Sequence, residues 1–209
     1  MATQENRSMV SETSICNQAL LWLGGNVITS LEEDSREAIW MKNNYPFIRD
    51  AVLEERMWTF ATVRATSTVA DLDAFGAMYV HPKPADWISI FRVYKNVSSQ
   101  DQNNWQKSVG WRLEERSVLC PDATIYMWGI KRVSDTGAFS PLFTQALAAR
   151  LAADAAIPLT ENRSLQSDMW NLYGVKLAEA AARDGQQGSN ERIHSDSLVN
   201  ARAGQGGMW

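Results

Sequence analysis

Large apolar side chains recur along this chain at two different periods, and the changes of period divide it into three parts. The first part is helical. Ser11 stands as an N-cap before ETSICNQALLWL, where Ile15, Ala19 and Leu23 fall at four-residue spacing on one face. Gly24 and Gly25 end this helix, because glycine accepts the left-handed conformation at a helical C-terminus. Further on, Ala38, Met41, Tyr45, Ile48 and Val52 repeat at 3-4-3-4 spacing, an amphipathic stripe facing a core. Ser30 followed by Glu33 matches a capping box, and the run Glu32, Glu33, Asp34 suits the positive end of a helix. These signals predict one helix from about residue 31 to 57, bent at Pro46, whose ring removes a backbone donor.

In the middle part the period shortens to two. MWTFATVRATSTV, DWISIFRVYKN, WRLEERSVLC and TIYMWGIKRV are rich in β-branched and aromatic residues and separated by Gly, Pro, Asn and Asp, so they read as short strands and hairpins. In ISIFRVY, strict alternation puts Ile88, Ile90, Arg92 and Tyr94 on one face and Ser89, Phe91, Val93 and Lys95 on the other. Both faces are apolar, which predicts a strand covered on both sides. YKNVSSQDQNNWQ reads as an exposed loop.

Helical spacing returns at SPLFTQALAARLAADAAI. Ser140 caps, Pro141 takes the first helical position, and Pro158 is expected to stop the helix. A last helix runs from about Arg163 to Arg183, with Leu165, Met169, Leu172, Tyr173 and Leu177 on its buried side. The segregated elements predict an α+β fold. Its parts would be a four-helix bundle from the two ends of the chain (1–57, with a polar arm, and 139–184), an inserted β-rich subdomain of antiparallel hairpins (58–138), and an extended C-terminal tail (185–209).

Composition adds limits to this layout. At 209 residues and 45% apolar content the chain can bury a sizeable core, as one large domain or a domain with an elaborated insert. Nine tryptophans favour cores and protein interfaces. A net charge of −4 argues against a dedicated nucleic-acid binder, yet it suits a surface that DNA slides past. Two isolated cysteines, Cys16 and Cys120, fit a reducing compartment better than a disulfide framework. No apolar signal core or run of roughly 20 apolar residues occurs, so a soluble protein without a membrane partner is expected.

Motifs for chemistry are sparse. Neither GxxxxGK[ST] nor GxGxxG is present, and LGGN reads as a helix end. His81, His194 and the two distant cysteines show no metal-ligand spacing, so no metal and no cofactor is expected. A Cys–His nucleophile pair stays open on sequence grounds, although Cys16 sits among core positions and reads as a small buried hydrophobe. The acidic groups Glu32-Glu33-Asp34, Glu54-Glu55 and Glu114-Glu115 are each adjacent along the chain. Glycoside hydrolysis needs two carboxyls facing each other across a cleft, so no catalytic residue is assigned. Arg64, Lys83, Arg92, Lys95, Lys131 and Arg132 are scattered through the β part without interleaved aromatics, and read as ordinary surface charge.

Several stretches taken together resemble the tail tubular protein A family, the head-to-tail adaptors, or gatekeepers, of short-tailed bacteriophages. They are CNQALLWLGGNVITSLEEDSREA, YPFIRDAVLEERMWTFAT, PADWISIFRVY, the GWRLEE hairpin and IYMWGIKRVSDTGAFSPLFTQALAARLAADAAIPLT, and they cover roughly residues 12 to 184. The order and spacing of these stretches carry the resemblance; no single one is diagnostic. It implies a structural virion protein without enzymatic activity, built from a helical bundle and a β-rich tip. In that family a ring, a dodecamer, docks beneath the portal protein. The tail nozzle protein (tail tubular protein B) and tail fibres build on the ring, and genomic DNA passes through its channel without sequence-specific binding. The implied location is the head–tail junction of the virion, after assembly in the host cytoplasm. A ring subunit needs two lateral patches that meet head to tail, and the tryptophans are the expected source of that apolar surface. Two other classes stand beside this one: a tail-associated hydrolase acting on the bacterial envelope, and a cytoplasmic interaction module.

From Gly185 to Trp209 the chain has five glycines and balanced charge, too little apolar area to fold alone. It nevertheless carries Ile193, Leu198, Val199, Met208 and Trp209, spaced as anchors for a partner's pocket. In the resembled family terminal extensions help hold the adaptor to the portal. That implies these five residues bind the portal or a neighbouring subunit.

Overall fold

The computed structural model describes residues 10–73, 75–97 and 105–187. Helix α1 (Glu12–Trp22) begins on Ser11, whose Oγ accepts from the Ser14 amide at 3.1 Å while Ser14 Oγ accepts from the Ser11 amide at 2.9 Å. This is the reciprocal capping box, with serine in place of the usual Glu or Gln. Ile15, Ala19 and Leu23 are buried as their spacing predicts. Gly24, at φ +70°, ends the helix in the left-handed region. The following loop is clipped back onto α1 by Asn17, whose side chain donates to the Ile28 carbonyl and accepts from its amide, both at 2.8 Å.

Helix α2 (Arg36–Glu54) departs from the sequence reading at its start, its end and its proline. SLEE does not open it. The Glu33 carboxylate instead folds back onto Thr29, accepting from its amide at 2.9 Å and its hydroxyl at 3.0 Å. Ser30 Oγ accepts from the Glu32 amide at 3.1 Å, so the segment closes on itself as a turn. Ser35 is the actual cap, accepting from the Ala38 amide at 3.3 Å. The helix then runs unbroken through Pro46. An interior proline costs about 3 kcal/mol. Burial of Met41, Tyr45, Ile48 and Val52 on one face contributes about 1.5–3 kcal/mol each and outweighs that cost.

Helix α3 (Pro141–Thr160) lies in the middle and packs against α1, α2 and α4 (Arg163–Gly185). Its alanines at 146, 148, 149, 152, 153, 155 and 156 are all fully buried, the pattern of a helix surrounded on every side. Pro158 does not stop it. The helix continues to Thr160 and ends at Glu161, at φ 57°. In the last turn proline removes a single backbone bond, while its own carbonyl takes the Arg36 guanidinium and Thr160 Oγ1 donates to the Ala156 carbonyl at 2.6 Å. Asn162 caps α4 by accepting from the Leu165 amide at 3.0 Å. The predicted stripe Leu165, Met169, Leu172, Tyr173 and Leu177 is the side that packs inward.

Two antiparallel sheets form between α2 and α3. The larger has the order β1 (Thr62–Thr68), β7 (Thr124–Lys131), β3 (Trp87–Asn96), β4 (Gln106–Lys107). The smaller has the order β2 (Tyr79–Pro82), β6 (Ser117–Cys120), β5 (Arg112–Glu114). Four helices and two antiparallel sheets among the described residues make the fold α+β, as predicted. Arg132, just after β7, donates to Asp50 Oδ2 at 2.6 Å, and buried Arg49 donates twice to Asp50 Oδ1 at 2.9 and 2.8 Å. This chain of charges fastens the base of the larger sheet to α2.

Strand β3 is covered on both sides, but not by the alternation expected. Ile88 and Phe91 pack on the helical core, while Trp87, Ile90 and Val93 pack on the core between the sheets. Irregularities in the pairing with β7 between Trp87 and Ser89, and between Ile90 and Arg92, shift the parity. A bulge inserts one residue and re-aims those after it. Beside the bulge, a Cβ on Gly129 would sit 2.3 Å from the Ser89 carbonyl oxygen and 2.7 Å from the Trp87 ring, so only glycine fits.

Candidate functional site

Nucleophile, acid and imidazole do meet in this molecule, between the two sheets. Ser108 Oγ donates to Asp122 Oδ2 at 2.7 Å and lies 2.9 Å from Cys120 Sγ. Its one proton goes to the carboxylate, so the cysteine S–H is directed at Ser108 Oγ and, at 3.7 Å, at Asp122 Oδ2. The His81 Nε2 lies 2.9 Å from the Asp122 carbonyl oxygen, and its Nδ1 lies 3.0 Å from Ser67 Oγ. A carbonyl can only accept, so Nε2 carries a proton and both ring nitrogens are engaged. His81 and Cys120 are fully buried and Ser108 nearly so. The group ties β1, β2 and the β6–β7 turn together, with both imidazole nitrogens engaged by Ser67 and Asp122. It reads as a polar stitch between sheets.

Cys16 behaves as the sequence predicts. It is fully buried, and burial, with a smaller contribution from Glu12, pushes its thiol pKa from 9.0 up to about 12. The carboxylate groups do not converge: Glu32 pairs with Lys42, Glu55 with Arg150 at 3.2 Å, and Glu114 with Arg112. Among the described residues no three His, Cys, Asp or Glu side chains gather as metal ligands would, and no helix is long and apolar enough to cross a membrane.

The site that sequence reading missed is the outer face of the larger sheet. Arg64 on β1 and Arg92 on β3 are both direct cross-strand partners of Trp128 on β7, so all three share one face. The Arg64 and Arg92 guanidinium carbons lie 4.5 and 5.3 Å from the Trp128 ring centre, and Arg64 lies 5.2 Å from the Trp105 ring. Trp105 in turn meets Tyr94 edge to face at 5.3 Å. The basic residues are therefore interleaved with aromatics after all, through pairing between strands far apart in sequence. Parity alone in TVRATST, FRVY and YMWG does not show which residues lie opposite each other, since register depends on the fold.

This face is open. A pocket of about 180 Å³ lies among Arg64, Tyr94, Trp105, Tyr126 and Trp128. A shallower cleft shares Arg64 and Trp128 with it and extends to Met57, Thr59, Thr62 and Val63. Arg64 is exposed, and its guanidinium has no ion pair or hydrogen bond among the described residues. The Trp128 Nε1 is buried with no acceptor among the described residues. A stacked guanidinium over indole rings offers cation–π and donor contacts to a carboxylate or to peptide carbonyls, beside an apolar floor. No His, Cys, Asp or Glu is among its described lining residues.

Exposed apolar surface comes from other residues than those expected. Among the described tryptophans only Trp170 is markedly exposed, and Trp58 and Trp87 are buried. Instead Phe47 on α2 is 76% exposed and Phe75, between β1 and β2, 88%. The predicted site residues Ile193, Leu198, Val199, Met208 and Trp209 lie outside the described residues. No known protein-family profile matches the chain, and no curated protein matches it in sequence.

Proposed function

We propose that this protein is a structural subunit of a phage tail, a ring-forming head-to-tail adaptor. In this reading a four-helix bundle forms the body of each subunit and the two sheets form a projecting tip. The ring docks under the portal, carries the nozzle and fibres, and lets DNA pass. The observation that supports it is the pair of large aromatics left in water in separate layers, Phe47 on the helices and Phe75 on the β part. A ring subunit needs two unlike patches that meet head to tail, and an exposed aromatic in each layer offers one anchor for each. The tail residues Ile193, Leu198, Val199, Met208 and Trp209 then anchor the ring to the portal or to a neighbouring subunit.

Mass measurement and imaging of the full chain mixed with purified portal test this reading. Rings on the portal are expected, with Phe47→Asp abolishing them, and removal of residues 204–209 weakening docking while the fold persists. A chain that stays monomeric beside the portal overturns the adaptor reading. Docking unchanged by the 204–209 deletion overturns the anchor.

A further inference from the structure

Strand β1 is an edge of the larger sheet, and its outer rim is bare backbone. The Lys131 amide donates to the Ala61 carbonyl at 2.9 Å and the Val69 amide to the Ala123 carbonyl at 3.0 Å, at the two ends of the β1–β7 ladder. Between them the pairing runs without irregularity from Thr62 to Thr68. Bonded and unbonded pairs alternate in an antiparallel ladder, so Val63, Ala65 and Ser67 turn their amides and carbonyls toward β7. The amides and carbonyls of Arg64, Thr66 and Thr68 therefore point to the rim, and none meets a partner among the described residues. The Thr62 amide also points outward, but it is taken by the Trp58 carbonyl at 2.9 Å and marks where the open rim begins.

Edges are usually blunted by lysine, proline, a bulge or extreme shortness. The seven residues of TVRATST use none of these. Their rim offers a donor and an acceptor every second residue, about 6.8 Å apart, which is the repeat of an extended polypeptide backbone. The side chains then select the polypeptide. Val63 and Ala65 pack on the core between the sheets yet stay only partly buried, since β1 is the last strand of its sheet. Arg64 is the single charge on the strand. A second copy pairing β1 with β1 would bring two guanidinium groups onto one face and no carboxylate, because the strand has none, and facing like charges are destabilising. A different chain carrying an acidic residue suits the edge better.

We propose that β1 accepts an extended segment of a partner protein as an added strand, with a carboxylate opposite Arg64 and apolar side chains beside Val63 and Ala65. The inference stands apart from the adaptor reading and needs no ring.

Amide hydrogen exchange and amide resonances of the isolated full-length protein test it, with the synthetic peptide acetyl-TVTVEVT-amide as the probe. Paired antiparallel, this peptide places its glutamate opposite Arg64. Without peptide, the Arg64, Thr66 and Thr68 amides should exchange about tenfold faster, or more, than those of Val63, Ala65 and Ser67. Equal protection of the two sets overturns the proposal, because the rim is then already covered by the chain itself or by a second copy. Peptide should slow exchange at Arg64, Thr66 and Thr68, and lysine in place of its glutamate should weaken binding about fivefold, as one favourable cross-strand charge pair becomes an unfavourable one. Arg64→Glu should reverse that preference. Thr66→Pro removes only an amide at the rim, so it should keep the urea midpoint and abolish peptide binding. Amides at Arg64, Thr66 and Thr68 unmoved by millimolar peptide overturn the proposal, as does a folded Thr66→Pro variant that binds as tightly as the parent. None of these outcomes touches ring formation on the portal.

Discussion

Around Trp58 the helical core is closed mainly by apolar side chains. Its indole meets Phe143 edge to face at 5.0 Å, Phe60 and Phe139 complete the cluster, and the alanines of α3 bring the other helices close. The core between the two sheets holds far fewer apolar side chains, among them Trp87, Val93, Val118, Ile125 and Met127. Alongside them sits the network of His81, Ser67, Asp122, Ser108 and Cys120. One core is stable because it is large and well filled. The other is small, and its strands are held in register by polar groups that are costly to leave unpaired. The two should therefore fail differently.

Trp58→Ala should have the largest effect, a loss of about 3–5 kcal/mol, because it empties a closed site and frees the Val52 carbonyl that Trp58 Nε1 contacts at 2.9 Å. Urea unfolding measures it, and a loss no greater than that of His81→Ala would break the contrast. Gly129→Ala comes next, at the upper end of the about 1–3 kcal/mol cost of overpacking, since the obstructing Ser89 carbonyl is backbone and cannot swing away. Near-ultraviolet dichroism of Trp87 should change with it. His81→Ala should cost about 1–3 kcal/mol by stranding Ser67 Oγ and the Asp122 carbonyl. Adding Ser67→Ala should then cost less than it does alone, and a strictly additive double variant would show that the network is not coupled.

The last effect is silent at neutral pH and belongs to the helical core. The Cys16 thiol is pushed up to about 12 in the folded protein, and burial also raises the neighbouring Tyr45 hydroxyl. Between pH 9 and 12 the unfolded chain gives up the thiol proton and the folded chain keeps it, so stability falls as pH rises through that window. Below pH 9 the group contributes no slope. Cys16→Ala should lessen the alkaline loss without removing it, as followed by urea midpoints across that range.

Legibility from sequence follows the same division. The stripes of α1, α2 and α4, the caps at Ser11 and Ser140, and the glycine stop at Gly24 were all readable, because each depends on neighbours within four residues. The errors at SLEE and Pro158 came from side-chain bonds that competed with the local signal: Glu33 on Thr29, and Arg36 on the Pro158 carbonyl. In the sheets, the bulges of β3 reversed an alternation that the sequence presents without interruption.

The sequence by itself determined the α+β layout, the helical faces and the burial of Cys16, since periodicity and capping act over a few residues. Only the tertiary structure decided that Arg64, Arg92 and Trp128 form one face, that His81 joins Ser67 and Asp122 across a seam between the sheets, and that Phe47 and Phe75 rather than most of the tryptophans meet the solvent. Those outcomes depend on register between distant strands and on which side chains the closed cores leave outside, and no local pattern encodes either.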